Sequence, residues 1–233
     1  MPVQFAKEAF HDFVDLLFPT FCLACSDPVV RGEKLICTTC AVNLPYTNYH
    51  LKHDNALSMR FWGKLPIEYA LAYLTFAPKG RVQQILHKFK YKGAKDLGSL
   101  LGNWYGATLL NAGLDNTFDL SVPVPLHKAK MRLRGYNQAD VFGAGISETL
   151  GVEHNSEALQ RNIFTQTQTN KARLQRWENV EQVFSVKKPE LVVDKHVLLI
   201  DDVITTGSTL EACAKVLYAA GAHKVSIAAL AAA

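Results

Sequence analysis

The stretch that most constrains this chain runs from His196 to Ala222. Val197–Ile200 is a short apolar run of β-branched and leucine residues between polar neighbours, the pattern of a strand buried on both faces. Asp201 and Asp202 stand at its carboxyl end, and Thr205-Thr206-Gly207-Ser208-Thr209 follows. Leu210, Cys213, Leu217 and Ala220 then recur near helical spacing until Gly221 closes the helix. A strand, a hydroxyl-rich turn and a helix in that order aim free N–H groups at a phosphate. Taken singly, an Asp-Asp pair or a Thr-Thr-Gly-Ser turn is usually just a polar loop. Here they come together where open α/β sheets place ligands. No Gly-Lys-Ser or Gly-Lys-Thr occurs and no Gly-x-Gly-x-x-Gly follows a strand, which disfavours a Walker loop and a dinucleotide fold. A phosphosugar fits: the carboxylates accept from two ribose hydroxyls, and the turn holds a 5′-phosphate.

With 233 residues, 48% hydrophobic and 20% charged, the chain is long enough for one α/β domain and a small extra module. No apolar run approaches about 18 residues, so no membrane insertion is expected. Residues 1–18 read as an amphipathic helix, its phenylalanines and leucines interrupted by Glu8, Asp12 and Asp15. They lack the basic start and small-residue cleavage site of a signal peptide, which points to the cytoplasm. The net charge of +4 is modest, but windows 79–95 and 127–136 hold ten of the 25 Lys and Arg residues and no Asp or Glu. Such clusters attract polyanions.

Near the N-terminus, Cys22-x-x-Cys25 and Cys37-x-x-Cys40 have the spacing of two knuckles that complete a four-sulfur structural zinc site. Two disulfides are the alternative, and the absence of a signal peptide argues against them. Such a site has no open coordination position, so its metal serves folding rather than catalysis. Residues 41–66 are weakly patterned and read as a linker, with His50 and His53 taken as surface residues. Ile67–Phe76 reads as a strand. A helix with Val82, Ile85, Leu86 and Phe89 on one face follows, and Gly93 separates it from a second helix through Leu97, Leu101, Tyr105 and Leu109.

Phe118–Val124 is the next strand, ended by its prolines. Residues 126–138 then read as a constrained basic loop on the same rim as Asp201 and Asp202. Its four cations, Lys128, Lys130, Arg132 and Arg134, suit an anion. A helix with Ala139, Phe142, Ile146 and Leu150 on one face follows. Residues 161–184 are polar and read either as a lid over the rim or as a plain surface loop. Cys213 lies on an apolar helix stripe and reads as a buried small hydrophobe. Tyr91 among Lys88, Lys90 and Lys92 offers a stacking ring beside a phosphate track for nucleic acid, although aromatics at that spacing are more often core.

The stretch Val197–Thr209 resembles the signature of the type I phosphoribosyltransferases, which bind phosphoribosyl pyrophosphate (PRPP). Three further pieces narrow the resemblance to the ComF family of phosphoribosyltransferase-like proteins, which includes the competence protein ComFC and GntX-type relatives. They are the paired Cys-x-x-Cys motifs, Val122-Pro-Val-Pro125 leading to Arg134-Gly-Tyr-Asn-Gln138, and Arg161-x3-Thr165-x2-Gln168 followed by Arg176-x2-Asn179 and Phe184. Tyr136, where phenylalanine is common, and Trp177 depart from the family pattern. The resemblance implies an α/β type I phosphoribosyltransferase-like parallel sheet flanked by helices over 51–233, with the N-terminal helix and zinc-binding module over 1–50. It also implies PRPP held with magnesium and a role in DNA uptake, natural competence or the use of DNA as a nutrient. Carried over to this chain, Asp201 and Asp202 hold the ribose hydroxyls, Thr205, Thr206, Gly207, Ser208 and Thr209 hold the 5′-phosphate, and Lys128 and Lys130 meet the pyrophosphate. Arg132, Arg134 and Arg176 are candidates for stabilising that departing anion. Three functions stay open: a PRPP-linked factor that binds single-stranded DNA and works with the uptake machinery, a transferase of nucleotide metabolism with an unidentified acceptor, and a PRPP-sensing adaptor without catalysis.

Overall fold

The computed structural model describes residues 18–162 and 183–233. Apart from Phe18, the helix expected over 1–18 lies outside the described residues, as do most of the segment expected as a lid and Arg176.

Five strands form one parallel sheet: β1 (Ala70–Thr75), β2 (Leu120–Pro123), β3 (Glu153–His154), β6 (His196–Ile204) and β7 (Lys224–Ala232), in the order β1-β7-β6-β2-β3. A separate antiparallel pair, β4 (Leu159–Arg161) and β5 (Phe184–Val186), stands beside it. Parallel strands need crossover helices, which cover both faces and force the strands to be apolar throughout. Successive residues of β6 therefore serve opposite layers. Leu198 and Ile200 pack with α3 (Lys95–Asn111) and α5 (Gln138–Leu150). Val197 and Leu199 pack with α6 (Ser208–Ala219), where Cys213 is fully buried as expected. Helices α3 and α5 meet through glycines: a Cβ on Gly145 would lie 2.7 Å from the Ser99 carbonyl oxygen.

Three elements differ from the sequence-based expectation. The strand carrying the aspartates runs on to Ile204, because Val203 and Ile204 keep pairing with Ala231 and Ala232 of β7. The basic segment is helical rather than a loop: α4 (Lys128–Arg134) starts where the His127 ring accepts a hydrogen bond from the Ala129 N–H and stops at Gly135 in the left-handed region, φ 77°. None of its residues is buried, so it carries no apolar stripe to reveal it. Residues 41–66 are folded, not a free linker. Asn55 is buried and its amide donates to the carbonyls of Lys52 and Ala70, pinning the segment to β1, while its oxygen accepts from the N–H groups of Leu57 and Ser58.

Near the N-terminus, α1 (Thr38–Val42) lies among the four cysteines. These join α2 (Arg81–Tyr91) in one apolar cluster through Ile36, Leu44, Val82, Ile85, Leu86 and Phe89.

Candidate anion and metal sites

The connection after β6 leads through α6 to β7 on one side, and the connection after β2 leads through α5 to β3 on the other. The strand order thus reverses between β2 and β6, and the crevice outside their carboxyl ends is where such sheets place ligands. Asp201 and Asp202 open onto this crevice from β6, and Val124 extends β2 into it with its N–H on the Ile200 carbonyl. Asn137 braces the rim. Its side-chain N–H donates to the Val124 carbonyl, and its oxygen caps α5 at Ala139.

The two carboxylates are not equivalent. The Asp201 oxygen accepts the Asp202 N–H at 2.8 Å. Burial, followed by the negative charge of Asp202, pushes its pKa up to about 7, against the pull of that N–H and of the Lys90 and Lys130 charges. Asp202 faces two cations: Lys90 Nζ lies 2.9 Å and Arg134 Nη1 3.9 Å from its Oδ2. Arg134 in turn donates to Gln138 Oε1 at 2.7 Å and lies over the Tyr91 ring at 5.7 Å.

Beyond β6, Gly207 at φ 81° turns the chain into α6 and has no side chain to cap the helix, which leaves the N-terminal end open toward solvent. Thr205, Thr206, Ser208 and Thr209 are exposed around it. Among these, the Thr206 and Ser208 hydroxyls lie 3.0 Å apart and the Thr206 oxygen also accepts the Ser208 N–H at 3.4 Å, all on the exposed side of the turn. An exposed run of hydroxyls at a helix start whose N-cap glycine offers no side chain is chemically matched to a phosphate. The turn rests on a floor that sequence patterning missed. The Phe61 ring lies so close that a Cβ on Gly207 would meet it at 2.8 Å, and the Arg60 guanidinium donates to the Thr205 carbonyl and to the Ala233 oxygen. The weak periodicity of residues 41–66 gave no signal for either contact.

The structure brings Lys90, Lys130, Arg134, Asp201 and Asp202 together at one rim. Lys128 and Arg132 lie exposed on α4 with Met131 and Leu133. Of the residues read as a nucleic-acid track, Lys88 bonds Ser26 Oγ at 3.1 Å and the Cys22 carbonyl at 3.4 Å, and Lys90 holds Asp202. Lys92 and Tyr91 remain exposed. One other polar chain, Ser121–His154–Asp140, has the order of a nucleophile relay, with 3.1 Å and 2.9 Å links. Its serine is fully buried in β2, beyond the reach of any substrate, so the chain ties β2 and β3 to α5.

The four cysteines form a second site. All four Sγ atoms lie within 4.8 Å of one another, and Cys25 and Cys37 approach to 3.9 Å. A tetrahedral metal with sulfur at about 2.3 Å requires sulfurs about 3.8 Å apart, so the group fits a metal ion. None of the cysteines is in a disulfide. Burial works to raise the Cys22 thiol. The backbone N–H groups of Cys37, Cys25 and Ala24 outweigh it and bring the pKa down to about 6, whereas Cys25 and Cys40 are held above the usual thiol value, so that without a metal one thiolate among the four disfavours these two.

Residues 152–233 match the phosphoribosyl transferase domain model. Over 227 residues, covering 91% of this chain and 96% of the relative, the sequence is 27% identical to DNA utilization protein YhgH of Escherichia coli K12. It is 37% identical over 108 residues to Competence protein F of Haemophilus influenzae, covering 46% of this chain and 47% of that one. It is 28% identical over 140 residues to Competence protein ComFC of Bacillus subtilis, covering 60% and 55%. With its parallel sheet, its four-cysteine cluster and its match to the phosphoribosyl transferase domain model, the chain is similar to proteins named for competence and DNA utilization, in keeping with its resemblance to the ComF family.

Proposed function

We propose that this chain binds PRPP in the crevice between β2 and β6 and acts in the uptake or use of DNA. The observation that carries the reading is the meeting of Asp201 and Asp202 with the exposed Thr205–Thr209 turn at the point where the strand order reverses. Asp202, and Asp201 once ionised, accept the ribose hydroxyls. The turn and the start of α6 take the 5′-phosphate, and Lys128, Lys130 and Arg134 face the diphosphate. Lys128, Lys130 and Arg134 would meet that diphosphate together with magnesium carried by the PRPP, which would supply further charge neutralisation there. The four cysteines hold one zinc, whose closed sulfur shell confines it to a structural role.

The second half of the reading is contact with single-stranded DNA. Its support is the run of exposed cations on α4 beside exposed Tyr91 and Lys92, free of carboxylates in both sequence windows. Lys92 and Arg132 track the phosphates and Tyr91 stacks a base. Lys88 and Lys90 join this track only by leaving their protein partners. A cytoplasmic location and contact with DNA-uptake proteins belong to the same reading, as the resemblance to the ComF family implies. Transfer of phosphoribose to an acceptor is the second reading, favoured by the cations gathered where the diphosphate would leave. In that reaction the bond between the anomeric carbon and pyrophosphate breaks as the acceptor's bond forms.

The test is calorimetric titration of PRPP with magnesium against wild type and Asp201→Asn/Asp202→Asn. Affinity falls at least 100-fold in the double variant, and equal binding removes the site. Binding of labelled single-stranded DNA weakens with salt. Replacing Lys92 and Arg132 with alanine flattens the log–log salt slope by about 1.4, and no binding at low salt removes the DNA half. Metal analysis finds one zinc per chain. Release of pyrophosphate with a candidate acceptor separates a transferase from a sensor.

A further inference from the structure

Helix α2 carries cations on two flanks, and each has a partner of a different kind. Its buried stripe is Val82, Ile85, Leu86 and Phe89. Two residues along a helix turn the side chain by about 200°, so Lys88 and Lys90 leave this stripe on opposite sides. Lys88 reaches Ser26 Oγ and the carbonyl of Cys22, inside the four-cysteine module. Lys90 reaches Asp202 on the sheet rim, with both side chains still open to solvent at 21% and 17%. The helix is held firmly between them. Phe89 is fully buried, its carbonyl accepts the Tyr136 hydroxyl, and its ring fills the space that a side chain at Gly98 would need.

We propose that Lys90 is a contact for the ligand's diphosphate, delivered to the rim by a helix whose other flank is anchored to the cysteine module. An ammonium has three donors, and Asp202 takes one of them. The others are available to phosphate oxygens of a ligand whose hydroxyls approach the same carboxylate. Lys90 thereby keeps Asp202 oriented and adds charge next to it. Lys88 touches no ligand and is a positioning residue, acting through α2.

This inference rests on the PRPP reading, and its test separates the two. Affinities are measured by calorimetry for PRPP with magnesium, for magnesium pyrophosphate and for ribose 5-phosphate. Lys90→Ala weakens PRPP and pyrophosphate at least tenfold and leaves ribose 5-phosphate unchanged or tighter, because Asp202 is then unshared. Lys88→Ala, in protein with unchanged metal content and Tm, weakens PRPP about threefold. The double variant is no weaker than Lys90→Ala alone, as expected when one residue acts through the other. Equal losses for all three ligands in Lys90→Ala mark a merely structural role and overturn the contact, as does no loss at all. A Lys88→Ala protein that binds PRPP normally, or additive losses in the double variant, overturns the delivery by the module. A wild type that binds none of the three overturns the PRPP reading itself, and this inference with it.

Discussion

The two ends of the central sheet are built from similar polar residues and put them to opposite uses. At the amino end the groups close on one another. The His196 N–H donates to Asp119 at 2.7 Å, the His196 ring pairs with Ser226 Oγ at 2.8 Å, and that hydroxyl accepts the Tyr69 N–H at 3.1 Å. Burial holds the imidazole below its usual pKa, so it stays neutral in its pair. At the carboxyl end closure is partial: Asp202 pairs with Lys90, the one hydrogen bond to Asp201 among the described residues comes from its neighbour's N–H, and Thr205, Thr206, Ser208 and Thr209 of the following turn stay exposed. A polar group that closes on a protein partner stabilises the fold. One left without a partner costs stability until a visitor supplies it. The contrast locates function better than polarity alone does.

The largest effect that sharpens this contrast is at the closed end. His196→Ala strips Ser226 of its buried partner and opens space beside Phe118, whose ring lies 5.2 Å from the imidazole. Unfolding in urea should show a loss of about 3 kcal/mol, with PRPP affinity within twofold of wild type. At the open end the sign reverses. Asp201→Asn removes a carboxylate that burial and Asp202 disfavour, so Tm at pH 8 rises by a few degrees while PRPP affinity drops at least tenfold. A lower Tm in that variant would erase the distinction between the two ends.

Smaller effects follow. Gly207→Ala forces a side chain into the left-handed region at φ 81° and against the Phe61 ring. Tilting the turn in this way weakens ribose 5-phosphate about tenfold and lowers Tm by roughly 3–6 °C. The smallest is a pH effect. The folded Asp201 carboxyl titrates at about 7 against an ordinary value of 3.8, so folding takes up a proton within that window. Stability relative to Asp201→Asn is therefore highest below the window and declines as pH rises through it. PRPP affinity runs the other way, and its rise from pH 6 to pH 8 is a few-fold larger in wild type than in the asparagine variant, where only the ligand's own phosphate titrates.

Local features were legible in the sequence wherever periodicity or motif spacing carried them. The apolar run of β6, the stripes of α2, α3, α5 and α6, and the cysteine spacing each report a buried face or a shared ligand. The short helix α4 escaped because it buries nothing, and its only marks are the capping His127 and Gly135. Asn55, Arg60 and Phe61 escaped because each reaches a strand or turn distant in sequence, Ala70 for the first and the Thr205–Gly207 turn for the other two. The Lys90–Asp202 pair joins residues far apart in sequence, so Lys90 read only as one more cation in a basic run.

The order of strands has a practical corollary. The stretch that matches the transferase domain model, 152–233, contains β6 and β7, but the strand lying against the other side of each is drawn from earlier in the chain. β2, at Leu120–Pro123, covers one and β1, at Ala70–Thr75, covers the other. Excising the matched stretch as a portable cassette would strip the ladder along Val197–Ile200 and along Ile227–Ala232, giving two naked hydrophobic borders that recruit other copies into aggregates. The smallest unit worth expressing therefore begins upstream of β1, early enough to include Asn55 and Phe61.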